Sequence, residues 1–117
     1  MIVRPNFFPF CLARGDDTGT IAVSLIANRF LLWRGEHAHQ GAISTLAWSP
    51  DGQFLASGGE DGVVHIWLAA SGELLYSFQH GQAVRRLRWS QDSQRIAAIS
   101  RERVDLWPLL PALADAA

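Results

Sequence analysis

The stretch HQGAISTLAWSPDGQFLASGGEDGVVHIW, residues 39–67, decides how this chain is read. A worn version, HGQAVRRLRWSQDSQRIAAISRERVDLW, follows at residues 80–107. Trp48 and Trp89 stand 41 residues apart, His39 and His80 also 41, and Trp67 and Trp107 40. The one-residue shortfall falls where GGEDGVV is answered by ISRERV. Similarity at a fixed period marks a repeated supersecondary unit, and a period of about 40 made only of short strand-like pieces excludes helical repeats. It fits a unit of four antiparallel strands.

Each strand carries its own signal. AISTLAWS ends at Ser49-Pro50-Asp51-Gly52, with Pro and Gly where a type I turn wants them. QFLASGG runs into Asp61-Gly62, a strong hairpin dipeptide. VVHIWLA is β-branched and aromatic, and Ser71-Gly72 then leads to ELLYSFQH. Within VVHIW, alternation sends Val64 and Ile66 to one face and Val63, His65 and Trp67 to the other. Both faces carry apolar groups, so the sheet expects a neighbour on each side.

A third, more degenerate unit lies upstream. FCLARGDDTGTIAVSL, residues 10–25, answers FLASGGEDGVVHIW, with Asp17 opposite Asp61 and Gly19 opposite Gly62. RFLLW then stands where LLYSF stands and leads to His39. Arg4-Pro5-Asn6 resembles Ser49-Pro50-Asp51, which makes Ile2-Val3 the stump of one more strand.

Residues 39–67 resemble a WD-repeat of the β-propeller family closely, and residues 81–107 resemble one loosely. The resemblance covers about residues 10–108 and rests most on AWSPDGQFLASGGEDGVVHIW and the His four residues before Ile43. It implies an all-β fold of antiparallel blades, each with up to four strands, and a buried hydrogen-bonded chain of His, Ser or Thr, Asp and Trp. The matching residues are His39, Ser57, Asp61 and Trp67. In such a chain indole N–H only donates, a hydroxyl and an imidazole do both, and the carboxylate accepts at the end. The later unit departs: Ala98 replaces the Ser, and Arg101 sits where Asp is expected, so the network there is not expected to survive. In the first unit Ser24 or Leu25 falls at the Trp position. The dipeptide that names the family is absent, since Leu68 follows Trp67 and Pro108 follows Trp107.

A closed propeller takes roughly 4–8 blades. This chain supplies fewer, about 2.5, an incomplete β-propeller. Residues 1–36 form a degenerate partial blade with strands b, c and d, and residues 37–80 a well-formed blade. Residues 81–110 form a degenerate blade lacking its outer strand, and residues 111–117 a tail. The pattern reads as the C-terminal piece of a longer propeller, or as a partial ring. Unpaired edges and open blade faces predict self-association.

Composition narrows the function. The 117 residues are 49% hydrophobic and 18% charged, which permits a core. A net charge of −1 exerts no global pull on nucleic acid or anionic lipid. Cys11 is the single cysteine, so no internal disulfide forms and a cytoplasmic location is expected. FFPFCLA is broken by Pro9, and IAVSLIANRFLLW by Asn28-Arg29, so no membrane span is expected.

Candidate chemistry is thin. His37 and His39 lack a third ligand, so no metal is expected. Asp16, Asp17, Glu60 and Asp61 fall at equivalent turns, where geometry asks for such residues. Arg14-Gly15-Asp16, the tripeptide of cell adhesion, is too short to carry weight. No catalytic constellation or cofactor motif is present, and the chain is not expected to be an enzyme. The arginines Arg85, Arg86, Arg88, Arg95, Arg101 and Arg103 face only Asp92, Glu102 and Asp105. Arg85, Arg86 and Arg88 are therefore the candidate contacts for an acidic partner. Overall, the residues point to a protein–protein interaction scaffold. The rivals are an inactive propeller fragment that needs another chain and, weaker, a nucleic-acid binder without interleaved stacking aromatics.

Overall fold

The computed structural model describes residues 2–3 and 11–109. Arg4-Pro5-Asn6 and the tail at 111–117 lie outside the described residues. The first sheet comprises β1 (Ile2–Val3), β2 (Cys11–Gly15), β3 (Ile21–Leu25) and β4 (Leu31–Gly35), in that order. The second comprises β5 (Ile43–Trp48), β6 (Phe54–Gly59), β7 (Val63–Leu68) and β8 (Leu74–Gln79). The third has three strands, β9 (Arg86–Trp89), β10 (Arg95–Ile99) and β11 (Val104–Pro108). All pairings are antiparallel. The stump at Ile2-Val3 is a real strand, paired to Leu12 and Ala13 of β2.

The turns explain the strand ends. At Ser49-Pro50-Asp51-Gly52 the Gly52 N–H donates to the Ser49 carbonyl at 2.9 Å, and the Ser49 hydroxyl donates to Asp51 at 2.6 Å. The worn copy keeps this geometry at Ser90 and Asp92. There Ser93 takes the left-handed conformation, φ 62°, that Gly52 takes in the intact turn. Its hydroxyl accepts the Asp51 N–H at 3.1 Å, a bond glycine could not offer.

Each sheet is a blade, and the blades stack face to face around β5, which lies beside β1 and β2 on one side and β9 on the other. The two-sided alternation of β7 now has its cause. Trp67 joins Cys11, Ala13, Ile21, Val23 and Trp33 in the seam between the first and second blades. Val64 and Ile66 join Phe54, Val84, Leu87, Ile96 and Ala98 in the seam between the second and third. Fully burying one such aliphatic side chain is worth about 1.5–3 kcal/mol, so the seams hold the stack together.

Polar contacts register the seams. His39 N–H donates to the Gly19 carbonyl at 3.2 Å, and His80 N–H to the Gly62 carbonyl at 2.8 Å. The Ser44 hydroxyl bridges the carbonyls of Gly58 and Val84. Indole N–H groups reach across as well, from Trp33 to the Ala69 carbonyl at 2.8 Å and from Trp89 to the Ala47 carbonyl at 3.0 Å. The described strands form an incomplete β-propeller of three blades, and among the described residues no further sheet packs on the outward faces of the first and third.

Candidate functional site

Two sites bear on function: a buried polar chain in the second blade, and an arginine-rich face at the open end of the third. The polar chain starts on β7, where Trp67 Nε1–H donates to Ser57 Oγ at 3.0 Å. Ser57, fully buried on β6, lies 2.8 Å from His39 Nε2, and His39 Nδ1 lies 3.1 Å from Asp61 Oδ1. Donor accounting then places the Nδ1 proton. The carboxylate only accepts, so Nδ1–H donates to Asp61, while the Ser57 hydroxyl, which accepts from the indole, keeps its hydrogen and a second lone pair for the bond with His39 Nε2.

Asp61 terminates the chain and caps the loop, accepting N–H bonds from Gln40 at 3.0 Å and Val63 at 3.1 Å. Burial works against its charge. The bonds from His39, Gln40 and Val63 outweigh burial and hold its pKa below the ordinary 3.8. Beside the chain, His65 Nε2–H donates to the Ala38 carbonyl at 2.8 Å, and its Nδ1 accepts from the Ser77 hydroxyl at 2.7 Å. Its ring centroid is 4.6 Å from that of His39. Burial, and then repulsion by the neighbouring His39, lower its pKa from 6.5. All four residues matched to the buried chain thus meet, each hydrogen-bonded to the next within the second blade.

The third blade corrects one expectation. A network there was not expected to survive Arg101 and Ala98, yet half of it does. Asp105 on β11 replaces the missing loop carboxylate and lies 2.8 Å from His80 Nδ1. Arg103 Nε sits 3.2 Å from the same Asp105 oxygen. With Ala98 at the serine position, His80 Nε2 is buried and has no hydrogen-bond partner. The available signal was alternation, since Asp105 shares the inward face of β11 with Trp107.

The first blade shows a second difference. Gly19 and Gly62 both accept from the next blade's His N–H, so they are equivalents and Thr18, not Asp17, stands opposite Asp61. The loop is capped by Asp16, whose carboxylate accepts N–H bonds from Thr18 and Thr20, each at 2.9 Å.

Arg86 and Arg88 lie exposed on β9, and Arg85 precedes it, also exposed. Among the described residues none of the three is in an ion pair. Arg86 and Arg88 project from the open face, while Leu87 between them is buried against the second blade. Among the described residues there is no group of three or more His, Cys, Asp or Glu side chains placed to hold a metal ion. No helix among them is long and apolar enough to cross a membrane.

Comparison with known proteins agrees with this architecture. The family model for the WD40 domain of anaphase-promoting complex subunit 4 matches residues 11–102. The small ribosomal subunit protein RACK1 of Glycine max is 38% identical over 71 residues, which cover 61% of this chain and 22% of that protein. Cross-pathway control WD-repeat protein 2 of Flammulina velutipes is 34% identical over 82 residues, 70% of this chain and 26% of that protein. Eukaryotic translation initiation factor 3 subunit I of Phaeosphaeria nodorum is 31% identical over 67 residues, 57% of this chain and 20% of that protein. The matched region thus spans about a quarter or less of the length of these curated relatives. With three stacked antiparallel blades and a family match over most of its length, the chain belongs to the WD40-repeat family.

Proposed function

We propose that this chain is a cytoplasmic protein–protein interaction scaffold that binds without catalysis. The observation that carries the reading is the contrast between interior and end. The bonds of the buried polar chain tie the strands and loops of the second blade together, while Arg85, Arg86 and Arg88 stand exposed and, among the described residues, in no ion pair. Exposed arginines without an ion-pair partner favour binding of an acidic partner, because the planar guanidinium fork loses less freedom per hydrogen bond it forms. The relatives support the same class. By name one belongs to a small ribosomal subunit and one to an initiation factor, and the matching family model takes its name from a subunit of the anaphase-promoting complex.

A second reading, a propeller piece completed by other chains, draws support from the open faces. Val104 is 64% and Leu106 59% exposed, whereas Val64 and Ile66, at the same places in the second blade, are fully buried. The test is affinity capture from cell extract with Arg85→Glu, Arg86→Glu and Arg88→Glu, alone and together, with circular dichroism as a check on folding. Loss of specific captured proteins by folded variants supports the scaffold. Capture unchanged across the series removes the arginines from it, and sedimentation as a stable oligomer favours completion by other chains.

A further inference from the structure

The outward face of the third blade is rebuilt so that a fourth blade of the same kind does not fit. In the two seams that exist, the approach point is a glycine. A Cβ on Gly15 would stand 2.7 Å from Ile43 of the next blade, and a Cβ on Gly58 2.7 Å from Val84. Real Cβ atoms do not come so close, so at these two points the next blade's Ile43 and Val84 side chains reach the backbone because no side chain is there. The strand register places Ile99 at the corresponding site of the third blade: Gly58 is paired with Thr45 and Val64, and Ile99 with Arg86 and Val104. Three further positions change in the same direction. Arg86, Arg88 and Arg95 occupy the places held in the second blade by Thr45, Ala47 and Phe54.

The face still carries an apolar stripe, Ile99, Val104 and Leu106, now flanked by arginines. Among the described residues Arg86, Arg88 and Arg95 are in no ion pair, although Arg95 is near enough to Asp92 to join the Ser90 hydroxyl and the Gln94 N–H in lowering its pKa. Asp92 and Glu102 lie in the adjoining loops, and Asp105 points inward to His80. A head-to-tail second copy would be a poor occupant. On the outward face of the first blade Arg14 and Arg34 lie in one row across Ala22, and even with Glu36 3.5 Å from Arg34, arginine would meet arginine there.

We infer that this face is an end face whose occupant is an acidic protein segment with alternating apolar side chains. The inference rests on the scaffold reading and deepens it. Carboxylates of the segment meet Arg86, Arg88 and Arg95, and its apolar groups cover Ile99, Val104 and Leu106. Arginine clusters recognise acidic motifs in this way, and an extended segment places its side chains at the period of the sheet.

The test uses the full chain and three fluorescent ten-residue peptides: alternating Glu-Val, alternating Lys-Val and a Gly-Ser control. Anisotropy is followed as salt is raised, with sedimentation in parallel. The expected result is binding of the Glu-Val peptide alone, weakened by salt. It falls about tenfold or more in Arg86→Glu/Arg88→Glu/Arg95→Glu, and measurably in Val104→Ser/Leu106→Ser. Both variants lie on the exposed face and should keep the wild-type circular dichroism. A graft of the second blade's face, Arg86→Thr/Arg88→Ala/Arg95→Phe/Ile99→Gly, should lose the peptide and self-associate. Equal binding of the Lys-Val peptide, or Glu-Val binding untouched by either variant, overturns the inference. So does preferential binding of single-stranded RNA by the same arginines, or a wild-type dimer dispersed by the arginine variant. If the peptides fail while arginine-dependent protein capture persists, the end-face assignment is lost and the scaffold stands; if both fail, both are lost.

Discussion

The second and third blades are two copies of one plan, and they differ in how completely the plan is carried out. In the second, Trp67, Ser57, His39 and Asp61 form an unbroken relay in which each donor has an acceptor. In the third, a substitute carboxylate at Asp105 keeps His80 anchored at one nitrogen, and Ala98 leaves the other buried and unpartnered. Trp107 compensates through packing, stacked on Phe78 of the second blade at 4.8 Å and 6°. The difference shows that a repeat can lose its hydrogen-bonded core and keep its place if a covered neighbour holds it. The loss is tolerated on the inward face, and the outward face has diverged furthest.

Four measurements break or sharpen this contrast, in descending order of expected effect. Ser57→Ala strands both the Trp67 indole and His39 Nε2, and should cost about 1–3 kcal/mol in denaturant unfolding. Serine removal with no loss of stability would mean that the relay is decorative. Next, Val64→Ala should cost about 2 kcal/mol, because its methyl groups fill the seam, while Val104→Ala at the matching open site should stay within about 0.5 kcal/mol. Equal costs would show that the end face is covered in solution. Third, Ala98→Ser should stabilise the third blade by about 1 kcal/mol, supplying the hydroxyl that His80 Nε2 lacks. A neutral or destabilising result would imply that the site is too tight for the added oxygen.

The smallest effect is a pH dependence. The pKa of His65 is lowered from 6.5 in the folded state, so the unfolded chain takes up its proton first as pH falls. This group's contribution is fully present above 6.5 and is lost progressively as pH drops below 6.5 towards the lowered value. His65→Gln should flatten that part of the stability curve. An unchanged curve would assign the acid sensitivity to other groups.

Much of the fold was legible because its signals are local. Turn residues at 49–52 and 61–62 and two-sided strands at 63–67 announce blades without help from distant residues. The relay was legible through family resemblance, since His39 and Trp67 lie 28 positions apart and nothing local joins them. Asp105 was missed because the expected carboxylate sits in a loop, and a replacement on the next strand is visible only once face and register are known. The shift from Asp17 to Thr18 was missed for a related reason: a one-residue offset in the loop is invisible until the strand register (Gly15 with Ile21, Gly58 with Val64) and the His N–H bonds to Gly19 and Gly62 pin it.

By itself the sequence determined that this is a strand-built repeat with apolar residues on both sides of its best strand, because period and alternation are properties of a chain's own order. Only the tertiary structure decided which faces are covered. Val64 and Val104 are the same residue type at the same place in a repeat, and one is fully buried while the other is 64% exposed. Burial depends on what packs against a surface, and residues far apart in sequence supply that.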